Sequence, residues 1–82
     1  MLIRSQNKIE LINIQNVTDF YVCGGNIKAF FNTDSENFVS IADYSTEEKA
    51  IKVLDSIQEY YINTANNRCR VFQMPQESEV LD

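Results

Sequence analysis

An 82-residue chain is long enough for one domain. Its net charge of −5, from 12 acidic and 7 basic residues, argues against sequence-independent nucleic-acid binding, which needs a basic surface to displace counterions. Two cysteines and no histidine leave no tetrahedral thiolate or imidazole zinc site and no Ser–His or Cys–His catalytic pair.

Turn residues divide the first 45 positions into short strands. Leu2–Ser5 and Ile9–Ile14 read as the first two, joined by a tight turn at QNK, and Gln15–Asn16 breaks the pattern. Thr18–Cys23 (TDFYVC) is rich in aromatic and β-branched residues, as strands are. Gly24–Asn26 (GGN) accepts positive φ and reads as a hairpin turn, with Ile27–Phe31 (IKAFF) as the returning strand. Asn32–Asn37 (NTDSEN) reads as a polar loop, and Phe38–Ala42 (FVSIA) as the next strand of a β-meander.

DYSTEEKAIKVLDSIQEYY, Asp43–Tyr61, then reads as one amphipathic helix. Ser45 and Glu48 have capping-box spacing, and Glu47 and Glu48 lie where the helix dipole favours negative charge. Ala50, Val53, Leu54, Ile57 and Tyr61 share its apolar face. Glu48, Lys49, Lys52, Asp55, Ser56 and Glu59 share the opposite one, which is expected to stay in solvent. The helix is expected to stop within Asn63–Asn67, and RCRVFQM to form a last strand before Pro75. The fold class predicted is α+β: an antiparallel meander of four to six strands with one long helix on one face. Residues 1–75 form the domain, and 76–82 an acidic, frayed tail.

One helix covers one face of a sheet, yet these strands carry apolar residues on both. Phe20 and Val22 point opposite to Tyr21 and Cys23; Ile27, Ala29 and Phe31 point opposite to Lys28 and Phe30. An uncovered apolar face usually means a partner, a groove or aggregation; the competing reading, a strongly curved sheet that wraps both sides of a small core, needs no partner. A homo-oligomer, most simply a twofold dimer, is expected, with Tyr21, Cys23, Phe30, Phe31 and Phe72 as interface candidates. Cys23 and Cys69 read as two buried free thiols in strands, with a disulfide between them as the alternative.

No catalytic set, metal or cofactor is expected. Glu47 and Glu48 are adjacent on a helix and do not converge, and the short acidic loop DSEN lacks the spacing of a calcium loop. A phosphate-and-base grip is conceivable from Arg4, Lys28, Arg68 and Arg70 with Tyr44 or a neighbouring aromatic ring. The bland reading of Arg68 and Arg70, a solvated strand end offsetting the acidic tail, is the stronger.

Three blocks, MLIRSQNK with ELI at the start, YSTEEKAIKVLDSIQEYY, and VFQMPQ with SEV near the end, resemble a group of short proteins found in Firmicutes genomes and in their phages and mobile elements. The resemblance takes in both ends and well over half of the chain, and leaves out 17–37. It assigns no functional residue. What it implies is a context: a cytosolic accessory protein, phage- or mobile-element-encoded, of a kind that binds a host factor or sequesters a nucleotide-type immune signal. The function expected is accordingly a small non-catalytic binding protein that interferes with a host factor, a defence component among the candidates. An oligomeric nucleotide sponge and a purely structural role are the alternatives. A cytoplasmic location is expected, because no apolar run approaches the roughly 20 residues that span a bilayer and the start lacks the apolar core of a signal peptide.

Overall fold

The structure, a computed structural model, describes residues 1–31, 34–63 and 70–81, and of 34–37 the backbone alone. Its strands are β1 (Leu2–Arg4), β2 (Leu11–Asn13), β3 (Val17–Cys23), β4 (Asn26–Phe31), β5 (Asp34–Asp43) and β6 (Val71–Gln73), with one helix, α1 (Glu47–Asn63). Short 3₁₀ turns occupy Ile14–Asn16 and Glu77–Glu79. The protein is α+β, as the sequence predicts.

The strands form two sheets rather than one meander. β3, β4 and β5 pair antiparallel in chain order, while the other sheet has the order β2-β1-β6, antiparallel on one side of β1 and parallel on the other. The break falls at Ile14–Asn16. There the Asn13 side chain accepts from the Gln15 amide and holds a 3₁₀ turn, so the chain leaves β2 without folding back on it. The free edge of β1 is taken by β6, with Leu2 opposite Val71 and Arg4 opposite Gln73. The polar stretch expected as a loop is also corrected: β5 begins at Asp34. Ladder bonds are made by the backbone, and a neighbour already in place can hold residues of poor strand propensity.

The hairpin between β3 and β4 is a two-residue loop, Gly24–Gly25, closing on Cys23 and Asn26. Gly24 has φ of +59°, the conformation glycine adopts at little cost. Gly25 is needed for close approach, because a Cβ there would overlap the Tyr44 carbonyl.

Three features of α1 differ from the reading of the sequence. Its N-cap is Thr46, whose hydroxyl accepts from the Lys49 amide at 3.2 Å, because Ser45 is committed elsewhere. Its buried stripe is Ala50, Val53 and Ile57, while Tyr61 is 53% exposed. The neighbouring Tyr60 turns inward instead, its ring edge-on to Phe72 at 5.2 Å. The flank holding Lys49, Lys52 and Ser56 does not lie wholly in solvent, because the chain end crosses it. Residues 76–81 are not a loose tail: Val80 is buried in the core. Glu77 accepts hydrogen bonds from the Ser45 amide and hydroxyl and pairs with Lys49, and the Lys52 ammonium donates to the Leu81 carbonyl at 2.6 Å.

Both sheets feed one core. Ile3, Ile12 and Met74 come from one sheet and its flank, Ile27, Ala29 and Ile41 from the other, and Ala50, Val53 and Ile57 from α1. No helix among the described residues is long and apolar enough to cross a membrane.

Candidate functional site

The seam between the sheets is a knot of amides. The Gln6 amide N–H donates to the Ile41 carbonyl at 2.8 Å, and its side-chain oxygen accepts from the Asp43 amide at 2.9 Å. Its backbone carbonyl accepts from the Gln76 side chain at 2.7 Å, and its own side-chain nitrogen reaches the Pro75 carbonyl at 3.4 Å. Gln73 donates to the Ser5 carbonyl at 3.1 Å, and the Tyr44 hydroxyl donates to the Pro75 carbonyl at 2.8 Å. The LIRSQ and FQMPQ segments therefore meet on the end of β5. Burial, with Glu77 and Glu79 nearby, raises the Tyr44 phenol well above its ordinary value. The Glu77 carboxyl is held below its ordinary value, first by the hydrogen bond from Lys49 and then by that from the Ser45 amide. Every group here is engaged in holding segments together, which is a structural role.

The outer face of the β3–β4–β5 sheet is different. α1 packs against the inner face, where Phe20, Val22, Phe31 and Val39 join the core around Ile27, Ala29 and Ile41. Strand alternation sends the intervening residues outward. Cross-strand register puts Asp19 opposite Phe30 and Tyr21 opposite Lys28, and then Phe30 opposite Phe38 and Lys28 opposite Ser40. Tyr21 is 53% and Phe38 47% exposed. The rings touch in sequence, Tyr21 edge-on to Phe30 at 6.4 Å and Phe30 tilted against Phe38 at 5.5 Å. The Lys28 ammonium sits over the Phe38 ring, 4.6 Å from its centroid. Thr18, Asp19, Tyr21 and Phe30 line an open depression of about 310 Å³.

This surface can hold an apolar partner and one anionic group. It is a poor platform for nucleobases: the rings stand at 82° and 45° to one another, so no common plane is offered for stacking. Among the described residues, no group of three or more His, Cys, Asp or Glu side chains could hold a metal ion.

The residues singled out from the sequence fall in three groups. Tyr21, Cys23, Phe30 and Lys28 lie together on the outer face, Cys23 as an exposed free thiol rather than a buried one. Phe31 and Phe72 do not belong there: both pack against the core. The proposed phosphate grip is dispersed. Arg4 turns back to donate to the Lys8 carbonyl at 2.9 Å, Tyr44 is buried in the seam, Arg70 is exposed at the entrance to β6, and Lys28 belongs to the aromatic face. Arg68 and Cys69 lie outside the described residues, and with them the suggested disulfide and the Arg68–Arg70 pair.

Phe38 and Asp19 complete the outer face and were not singled out from the sequence. The alternation in FVSIA carries the signal for Phe38, since Val39 and Ile41 point inward. For Asp19 the signal is the same alternation in TDFYVC, since it stands two residues before Tyr21 in an unbroken register. No family model, no curated protein and no solved structure matches the chain.

Proposed function

We propose that the protein is a small non-catalytic binding domain that engages another protein through the outer face of its β3–β4–β5 sheet. In the context implied by the sequence resemblance, it is a cytoplasmic, phage- or mobile-element-encoded protein that interferes with a host factor. The observation that carries this reading is the contiguous aromatic row Tyr21–Phe30–Phe38, half-exposed at Tyr21 and Phe38, with Lys28 beside it, on a face left uncovered by α1. Aromatic anchors are among the side chains that protein interfaces concentrate. The nucleotide-sponge reading has less support, because Tyr44 is buried in the seam, Lys28 lies over Phe38 on the outer face and Arg4 donates to the Lys8 carbonyl. Affinity capture from a host lysate with the parent chain and with a Tyr21→Thr/Phe38→Thr variant tests the proposal. A partner held by the parent and lost by the folded variant is expected; identical capture profiles would sink it.

A further inference from the structure

We infer that the same outer face recognises a second copy of the chain, forming a weak twofold dimer in which Lys28 of each copy faces Asp19 of the other. The inference rests on the docking role proposed above for this face. Four residues define its geometry. Asp19 stands opposite Phe30 and Tyr21 opposite Lys28, with strands about 4.8 Å apart and same-face neighbours about 6.8 Å apart along each strand. Tyr21 and Phe30 therefore occupy one diagonal of a near-rectangle, and Asp19 and Lys28 the other.

A twofold axis lying along the Tyr21–Phe30 diagonal sets each of those rings against its own counterpart. The same operation brings Lys28 of one copy to within roughly 3 Å, in projection, of Asp19 of the other, and it does so twice. One cation and one anion at mirror positions about an apolar line make a surface complementary to itself. Within one copy the two charges make other contacts: Lys28 lies over Phe38, and Asp19 accepts from the Thr18 hydroxyl at 2.9 Å. Among the described residues the ion pair present is Lys49–Glu77. The two sheets then cross steeply, near the orthogonal class of sheet packing.

Area places the interface in the small, transient class. Three strands over six or seven residues make a face of roughly 14 by 20 Å, or about 300 Å² in projection. A standard stable interface removes about 800 Å² per partner. The dimer is therefore weak and exchanging, with a dissociation constant on the order of 100 µM, and a host surface docking on the same face competes with it.

Sedimentation of the full chain from about 10 µM to about 1 mM, either side of that constant, tests the inference. The average mass is expected to climb from one chain toward two. Asp19→Lys and Lys28→Asp should each weaken association at least about tenfold, and the double exchange, which restores opposite charges at the same sites, should recover most of the loss. Far-ultraviolet circular dichroism confirms that each variant is folded. A parent that stays monomeric throughout, single variants that associate like the parent, or a double variant no better than the singles would each overturn the dimer. Failure of the dimer stays separable from failure of the docking role: host capture that depends on Tyr21 and Phe38 in a strictly monomeric chain leaves the latter standing.

Discussion

The two faces of the β3–β4–β5 sheet come from the same strands and the same alternation, yet they end in opposite states. On the inner face Ile27 and Ala29 are 0% exposed, whereas Tyr21 and Phe38, on the outer face, are 53% and 47% exposed. Hydrophobicity does not separate them, since phenylalanines lie on both. What separates them is supply. α1, Val80 of the chain end and the Ile3–Ile12 pair of the other sheet all arrive on the inner side. Among the described residues there is one helix, and with it on the inner side Tyr21 and Phe38 stay half-exposed.

The sharpest test of that contrast is Ile27→Ala. Truncating a fully buried isoleucine removes its transfer free energy and leaves a cavity, a cost of about 3 kcal/mol. In a domain this small that lowers the melting temperature by about 12–24 °C, measurable by thermal denaturation. A loss below about 1 kcal/mol would mean that the core relaxes to close the gap. Gln6→Ala comes next. It strips the acceptor from the Asp43 amide and the donor to the Pro75 carbonyl while keeping the backbone bonds to Ile41 and Gln76. At a partly solvated seam two lost hydrogen bonds are worth about 1–2 kcal/mol. Hydrogen exchange should quicken at the Asp43 amide before it does within β3. Uniform acceleration across both sheets would instead mean that the sheets unfold as one unit.

The clasp of the chain end adds a pH dependence to the inner side. Lys49 and Ser45 hold the Glu77 carboxyl below its ordinary value. A carboxylate with a depressed native pKa favours the folded state fully above its unfolded pKa, and that contribution fades as pH falls through the native one. Stability is therefore expected to hold above about pH 5 and to decline on acidification below the ordinary carboxylate range near pH 4. Glu77→Gln should flatten that part of the acid limb, with little change in the outer-face aromatics' fluorescence. The effect is small because the carboxylate is solvent-exposed. An acid limb identical in parent and variant would show that Glu77 does not hold the chain end.

The sequence made these parts legible to different degrees, for physical reasons. Alternation in TDFYVC and IKAFF separates inner from outer residues correctly, because side-chain direction in a strand follows directly from position. The helix is legible from its period, but its cap is not. Ser45 and Thr46 are both competent caps, and the choice is settled by Glu77, 31 positions beyond Thr46, drawing Ser45 away. The division into two sheets was hidden because antiparallel succession is the default for short strands, while the β1–β6 pairing joins chain ends. Phe31 and Phe72 look like surplus aromatics in a local window; in the fold both pack against the shared core, Phe72 with Tyr60 of α1 against it. Gln6, Gln73 and Gln76 look like solvent residues in any local window; only their convergence makes them a seam.

Tyr21→Thr should move stability least and probes the outer face most directly. Threonine keeps the strand propensity of the position, and the tyrosine ring is already half in water, so little burial is lost. Its edge-on contact with Phe30 is long, 6.4 Å between centroids, at the outer limit of aromatic pairing. The expected cost is about 0.5 kcal/mol, typical of a surface substitution, against about 3 kcal/mol for Ile27→Ala on the other side of the same sheet. Phe38→Thr should cost somewhat more, since it also removes the ring beneath Lys28. Concentration makes the comparison more informative. In dilute solution the Tyr21→Thr penalty reports the isolated fold. If a second copy covers this face, binding to the native state adds stability with concentration, and the gap between parent and variant should widen toward millimolar chain. A penalty near 3 kcal/mol in dilute solution would break the contrast, because it would place Tyr21 inside the fold.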